Sequence, residues 1–255
     1  MTGPGAPGPV ERRLAELIAG GPIHLTLIDP EKAPGEEAAE VAARAVEAGS
    51  HALLLGGSTG ITRELVGGAA TAIRRRVAVP TIIFPEGPGS LAPEADAVLF
   101  MSLLNSRNLD LVIRAHARAA PAVRAMGLEA IPMGYLVVAP GMRVGEVGQV
   151  DAVPRDRPEV AAGYALAAEM LGMRLVYLEA GSGAPSPVPA ELVRAVRKAL
   201  RIPLIVGGGI RTAADAHPLL EAGADALVTG TVTEEQGIGT GFRSIVEEVR
   251  RARSP

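Results

Sequence analysis

Cysteine is absent from the 255 residues, which excludes disulfides, thiolate nucleophiles and cysteine-ligated zinc and fits a reducing compartment such as the cytoplasm. Tryptophan is absent too, and with three Tyr and three Phe the aromatics make up only 2% of the chain. The core must therefore be packed with Ala, Val, Leu and Ile. Excess positive charge is also missing: a formal net charge of -3 gives no reason to expect nucleic acid or an anionic membrane surface as a partner. No run of about 18 uninterrupted apolar residues occurs, so no transmembrane segment is expected. The opening MTGPGAPGP lacks the basic stretch and apolar core of a secretory signal and reads as a flexible tail over residues 1–9. Lysines number two, Lys32 and Lys198, a scarcity that argues against Schiff-base chemistry.

What is present is a repeated alternation. Short apolar runs begin at His24, Ala52, Thr81, Ala97, Tyr135, Leu175, Leu204 and Ala226, and amphipathic segments such as GEEAAEVAARAVEAG from Gly35 and PAELVRAVRKAL from Pro189 lie between them. Continuous apolar strands alternating with helices argue for parallel strands covered on the outside. Eight such units in about 230 residues fit one α/β domain, a closed (β/α)8 TIM barrel over residues 10–250. A helix over 10–19 is expected to plug or flank the barrel bottom, and residues 251–255 to fray. An internal echo supports the repeat: EAGSHALLLGGS from Glu47 resembles EAGADALVTGT from Glu221, each closing a helix with Gly and opening a strand.

In such a barrel the chemistry sits where strands run into the following loops. The first run ends in Asp29-Pro30-Glu31-Lys32, the second in Gly56-Gly57-Ser58, the sixth in Glu179-Ala180-Gly181-Ser182-Gly183, the seventh in Gly207-Gly208-Gly209 and the eighth in Gly230-Thr231. Glycine-rich turns after the last three let backbone N–H groups converge on an anion, which points to a phosphorylated ligand. A glutamate ending a buried strand is costly unless something there uses it. Its strand-end position and glycine context read Glu179 as functional, against the alternative of a buried structural carboxylate paired with Arg211 or another cation. Asp29 and Ser58 on neighbouring strands could hold one Mg2+, whose shell is otherwise filled by water and substrate phosphates; Asp29 before Pro30 reads equally as a turn cap. The four histidines, His24, His51, His116 and His217, show no paired ligand spacing and read as structural, with His116 the one candidate for a further role.

These residues resemble a known family. DPEK at Asp29, GGSTGIT at Gly56, ADAVLFMSLLNSRN at Ala95, GLEAIPMGYLVVAPG at Gly127, YLEAGSGAP at Tyr177, VGGGIR at Val206 and AGADALVTGT at Ala222 look like the geranylgeranylglyceryl phosphate synthase family, and most like its larger, archaeal-type group. The resemblance implies a Mg2+-dependent prenyltransferase that joins sn-glycerol 1-phosphate to a prenyl diphosphate, releases diphosphate and forms an ether. Carried over by position, Asp29 and Ser58 bind Mg2+. Tyr177, Leu178, Glu179, Ala180, Gly181, Ser182, Gly183, Gly208, Gly209, Gly230 and Thr231 cradle the glycerol phosphate. Glu179 then takes the proton from the attacking hydroxyl, Tyr177 orients it, and Lys32 meets the departing diphosphate.

Phe84, Phe100, Met101 and Tyr135 are candidates to line an apolar groove for the tail. The chain departs from the family pattern at Leu109, Asp110, Leu111, His116 and Glu146, which bears on assembly contacts and on the tail pocket. The resemblance also implies a cytoplasmic homo-oligomer, dimer or hexamer, with transient membrane contact on product release. The competing readings are another phosphate-binding barrel enzyme acting on a sugar phosphate, or a silent phosphate-binding homologue.

Overall fold

A computed structural model describes residues 6–57 and 59–253. The eight strands are β1 (Ile23–Ile28), β2 (Ala52–Leu55), β3 (Thr81–Ile83), β4 (Ala97–Leu103), β5 (Glu129–Val137), β6 (Leu175–Glu179), β7 (Leu204–Gly207) and β8 (Ala226–Thr229). They pair in sequence order, and β1 closes on β8 to give a barrel in which every neighbour is parallel. The expected (β/α)8 barrel is thus the observed fold. The largest difference is in β5, which starts at Glu129, six residues before the expected run. Pro132 and Gly134 break the apolar pattern there without breaking the pairing to β4.

The helices are α1 (Pro9–Ala19), α2 (Glu36–Ala48), α3 (Arg63–Arg74), α4 (Ala115–Met126), α5 (Met142–Val147), α6 (Pro158–Met170), α7 (Ala190–Ala199), α8 (Ala213–Glu221), α9 (Thr231–Gln236) and α10 (Thr240–Arg253). Their inward faces are rich in alanine: α2 buries Ala38, Ala39, Ala42 and Ala45, and α6 buries Ala161, Ala165 and Ala168. Small side chains let the helix ring sit close to the strands, so a core with few aromatics still fills. The internal echo has a shared geometry. In each copy the glycine and the residue after it reach back to the helix: Gly49 to Val46 and Ser50 to Ala45, Gly223 to Leu220 and Ala224 to Leu219.

Alternate residues of each strand fill two layers. Leu25, Leu54, Ile82, Leu99, Met133 and Ile205 point into the barrel, while Leu53, Ile83, Val98, Leu136, Val176 and Val206 meet the helices. The bottom of the barrel is closed by α1. The Glu129 carboxylate at the start of β5 accepts the N–H groups of Val10 and Glu11, both at 2.8 Å, satisfying donors that a first helical turn leaves open. Glu11 in turn pairs with Arg174 at 2.6 Å. At the other terminus the expected fraying does not begin at residue 251. Helix α10 runs on to Arg253, whose guanidinium donates to the carbonyls of Gly21 and Pro22, both at 2.9 Å. Among the described residues no helix is long and apolar enough to cross a membrane.

Candidate active site

The expected site residues gather at the C-terminal mouth of the barrel. Side chains along β6 alternate, so Tyr177 and Glu179 point into the mouth while Leu178 and the following Ala180 are fully buried in the outer layer against the helices. Leu178 and Ala180 therefore present only backbone to the site. The Glu179 side chain is buried, and its carboxylate accepts the Gly181 N–H at 2.6 Å and the hydroxyls of Tyr177 and Tyr135. Burial pushes its pKa up; the three donors pull the other way. No cation contributes among the described residues. The pairing with Arg211 is not formed: that guanidinium donates instead to the Ala184 carbonyl at 2.6 Å, fastening the loop after β7 to the loop after β6.

Tyr135 is expected from the sequence only as groove lining, yet it sits opposite Tyr177 in the β5–β6 register, with ring centroids 5.1 Å apart. Phe84 meets both edge-on at 5.6 and 5.8 Å. Half of the chain's six Tyr and Phe residues are thus spent on one cluster beneath Glu179. Burial raises both phenol pKa values well above the ordinary, and the neighbouring Glu179 adds to it, so both hydroxyls remain donors. The sequence signal for Tyr135 is its place on the strand next to YLEAGSG, at the same depth as Tyr177.

The glycine turns close around this acid. Gly208 has φ +80°, and a Cβ there would run into Glu179 Oε1 and stand 2.7 Å from the Gly181 nitrogen, so only glycine lets the β7 loop come this near. Thr231 at the end of β8 ties the β6 loop across the mouth: its hydroxyl accepts Gly183 N–H at 3.1 Å and lies 3.0 Å from Ser182 Oγ. Gly208 and Thr231 therefore lie against the loop 181–183, while Gly209 packs on Ser186 and Pro187 and Gly230 faces Leu27.

Beside the cradle, on the strand next to β8, Asp29 follows β1. One of its oxygens accepts the Glu31 N–H at 3.0 Å, the turn-cap role, and the other lies 3.8 Å from Lys32 Nζ. Lys32 is held chiefly by Glu234 of α9, at 2.6 Å, which raises its pKa. Gly57 leaves the space beside Asp29 open, since a Cβ there would stand 2.6 Å from Oδ2. Ser58 lies outside the described residues. From Glu179 a cleft of about 220 Å3 runs past Phe84 and Tyr135 to Leu99, Phe100 and Met101, and on along α4 at His116, Ala119 and Val123. All four expected lining residues are on it. Ala119 and Val123 of α4, which the sequence reading does not single out, extend the lining into the helix layer.

Known proteins resemble this chain along nearly its whole length. A protein from Methanothermobacter marburgensis named geranylgeranylglyceryl phosphate synthase is 52% identical over 239 residues, 93% of this chain and 97% of that one. One of the same name from Methanothrix thermoacetophila is 52% identical over 232 residues, covering 90% and 91%. The crystal structure of (S)-3-O-geranylgeranylglyceryl phosphate synthase from Thermoplasma acidophilum, in complex with substrate sn-glycerol-1-phosphate, superposes with a TM-score of 0.91 at 44% identity, over 96% of this chain and all of that one. The model of the PcrB family matches residues 16–249. With that match spanning the whole barrel, the chain belongs to the PcrB family.

Proposed function

We propose that the protein joins sn-glycerol 1-phosphate to geranylgeranyl diphosphate or a similar long prenyl diphosphate, forming an ether-linked prenylglyceryl phosphate and releasing diphosphate. The observation that carries this reading is the place of Glu179: a buried carboxylate between a glycine-walled cradle and an apolar cleft. The relatives named for this activity, one of them crystallised with sn-glycerol 1-phosphate, support it.

The cradle formed by the loops after β6, β7 and β8 takes the phosphate, and that fixes the glycerol with its free hydroxyl at Glu179. Tyr177 and Tyr135 donate to the carboxylate and aim it. The hydroxyl oxygen attacks the allylic carbon, a C–O bond forms as the bond to diphosphate breaks, and the proton passes to Glu179. Holding the alcohol by its phosphate turns an encounter of two substrates into an oriented one. Lys32 lies where the departing diphosphate gathers charge, with Glu234 holding its ammonium until then. The tail follows the cleft towards α4. Each five-carbon unit contributes roughly 4 kcal/mol of apolar burial before binding costs, so the length of the cleft sets the preference among tails.

A divalent ion fits beside this machinery. Asp29 keeps one oxygen clear of the Glu31 amide, and Gly57 leaves room next to it. Mg2+ suits so small a donor set, because it takes much of its shell from water and substrate phosphates. Asp29 and Ser58 would hold it, and when bound it would offset charge on the diphosphate. The reading carries with it a cytoplasmic homo-oligomer, dimer or hexamer, which light scattering on the purified protein measures. Incubation with sn-glycerol 1-phosphate, geranylgeranyl diphosphate and Mg2+ should yield the ether phosphate and lose it with EDTA. No product with any prenyl diphosphate of about ten to thirty-five carbons would overturn the proposal.

A further inference from the structure

The apolar cleft leaves the barrel through a gap that strand lengths create. Strand β3 pairs with β4 only at Ala97 and Val98, leaving the rest of that β4 edge without a strand neighbour. The Leu104 N–H points to β5, where it meets the Tyr135 carbonyl. By alternation the carbonyls of Met101 and Leu103 point to the other edge, the one β3 has abandoned. Leu103 is satisfied by the Ser106 N–H at 3.1 Å. Met101 is satisfied by a side chain from a different layer: His116 Nε2 in the first turn of α4, at 2.6 Å.

That leaves the imidazole in a defined state. Nε2 carries the proton, and Nδ1 is buried without a partner among the described residues. Burial lowers the pKa of the ring, so it stays neutral. Its edge-to-face contact with Phe100, 4.8 Å between centroids at 85°, fixes it as part of the cleft wall. The wide turn before α4, in which the Ala115 N–H reaches back to the Asp110 carbonyl, brings the residue down onto β4.

Resting on the prenyl-transfer reading above, we propose that His116 is a positioning residue for the far part of the prenyl chain. It replaces the missing strand at Met101 and makes the exit from the barrel an apolar passage. Without it a bare carbonyl would face the tail, and a buried unsatisfied acceptor is costly. The effect is expected to depend on tail length, because the prenyl group reacts at Glu179 and His116 lies on the α4 part of the same cleft.

The test compares His116→Leu, which removes the donor, with His116→Gln, which keeps one of similar reach, using geranyl and geranylgeranyl diphosphate. Melting temperature checks that each variant folds. His116→Leu should raise KM for geranylgeranyl diphosphate roughly tenfold, with KM for sn-glycerol 1-phosphate and kcat/KM for geranyl diphosphate unchanged; His116→Gln should restore most of the loss. Calorimetry with the unreactive thiolo analogue of geranylgeranyl diphosphate should show the same order of affinities. Equal losses for both tails, or a Gln variant no better than Leu, overturn the role of His116 while leaving the prenyl-transfer reading intact. A wild type that neither binds nor turns over any prenyl diphosphate overturns both.

Discussion

The two sides of the barrel mouth are built on opposite principles. On the side of β6, β7 and β8 backbone approaches backbone, with Gly208 set against Glu179 and Gly181, and Thr231 bridging to Ser182 and Gly183. These close approaches fix the loops relative to one another, while the space beside Gly183 stays open. On the side of β3, β4 and α4 the wall is made of side chains, and the short β3 leaves it open. Close-packed polar turns suit a small charged ligand that must be held in one pose. A gap lined by Leu, Phe, Met and Ala suits a long chain that needs burial more than aim. The difference separates orientation, a property of the first side, from selection of length, a property of the second.

The largest effect is expected at the boundary between the two sides. Glu179→Gln should lower kcat by about 10²- to 10⁴-fold, while calorimetry should find sn-glycerol 1-phosphate binding nearly unchanged. Gly208→Ala acts on the cradle side, at the contact between the loop after β7 and Glu179. It forces a side chain into a left-handed backbone position and against the acid, so affinity for sn-glycerol 1-phosphate should fall by roughly tenfold or more, with binding of a prenyl diphosphate analogue retained. Ala119→Phe acts on the other wall, one helical turn beyond His116. It should cut kcat/KM for geranylgeranyl diphosphate by about 5- to 50-fold and leave geranyl diphosphate a substrate, as product analysis would report.

The smallest expected effect is thermodynamic. Burial raises the Glu179 pKa above its unfolded value, so the folded state holds the extra proton between those two values. Stability associated with this group is full at acid pH and is lost as pH rises through the folded pKa. Glu179→Gln should therefore raise the melting temperature at pH 8, and the gain should vanish towards pH 4, as thermal denaturation at the two pH values would report. His24 has the opposite sign. Burial first, then the charge of His51, lowers its pKa to about 3, so it is neutral in the fold and charges on unfolding, destabilising the protein as pH falls below about 6.5.

Much of the cradle is legible in the sequence because its logic is local. A carboxylate ending an apolar run, followed at once by Gly-Ser-Gly, already states that the strand stops where something charged is needed. The eight-fold alternation reveals the barrel for the same reason, since each strand and helix writes its own periodicity. The groove is legible only as a set of candidates. Phe84, Phe100, Met101 and Tyr135 do line it, but that Tyr135 also serves Glu179 depends on the β5–β6 register, and the role of His116 depends on β3 being shorter than β4. Arg211 is the natural partner for Glu179 by nearness in the loops. It goes to Ala184 instead because the acid is already supplied with three donors that bring no charge.

The most direct test of the account is a crystal structure with sn-glycerol 1-phosphate bound. The phosphate should sit among the loops after β6, β7 and β8, with the free hydroxyl about 2.6–3.2 Å from a Glu179 oxygen. A phosphate lodged elsewhere, or a hydroxyl turned away from that carboxylate, would contradict it.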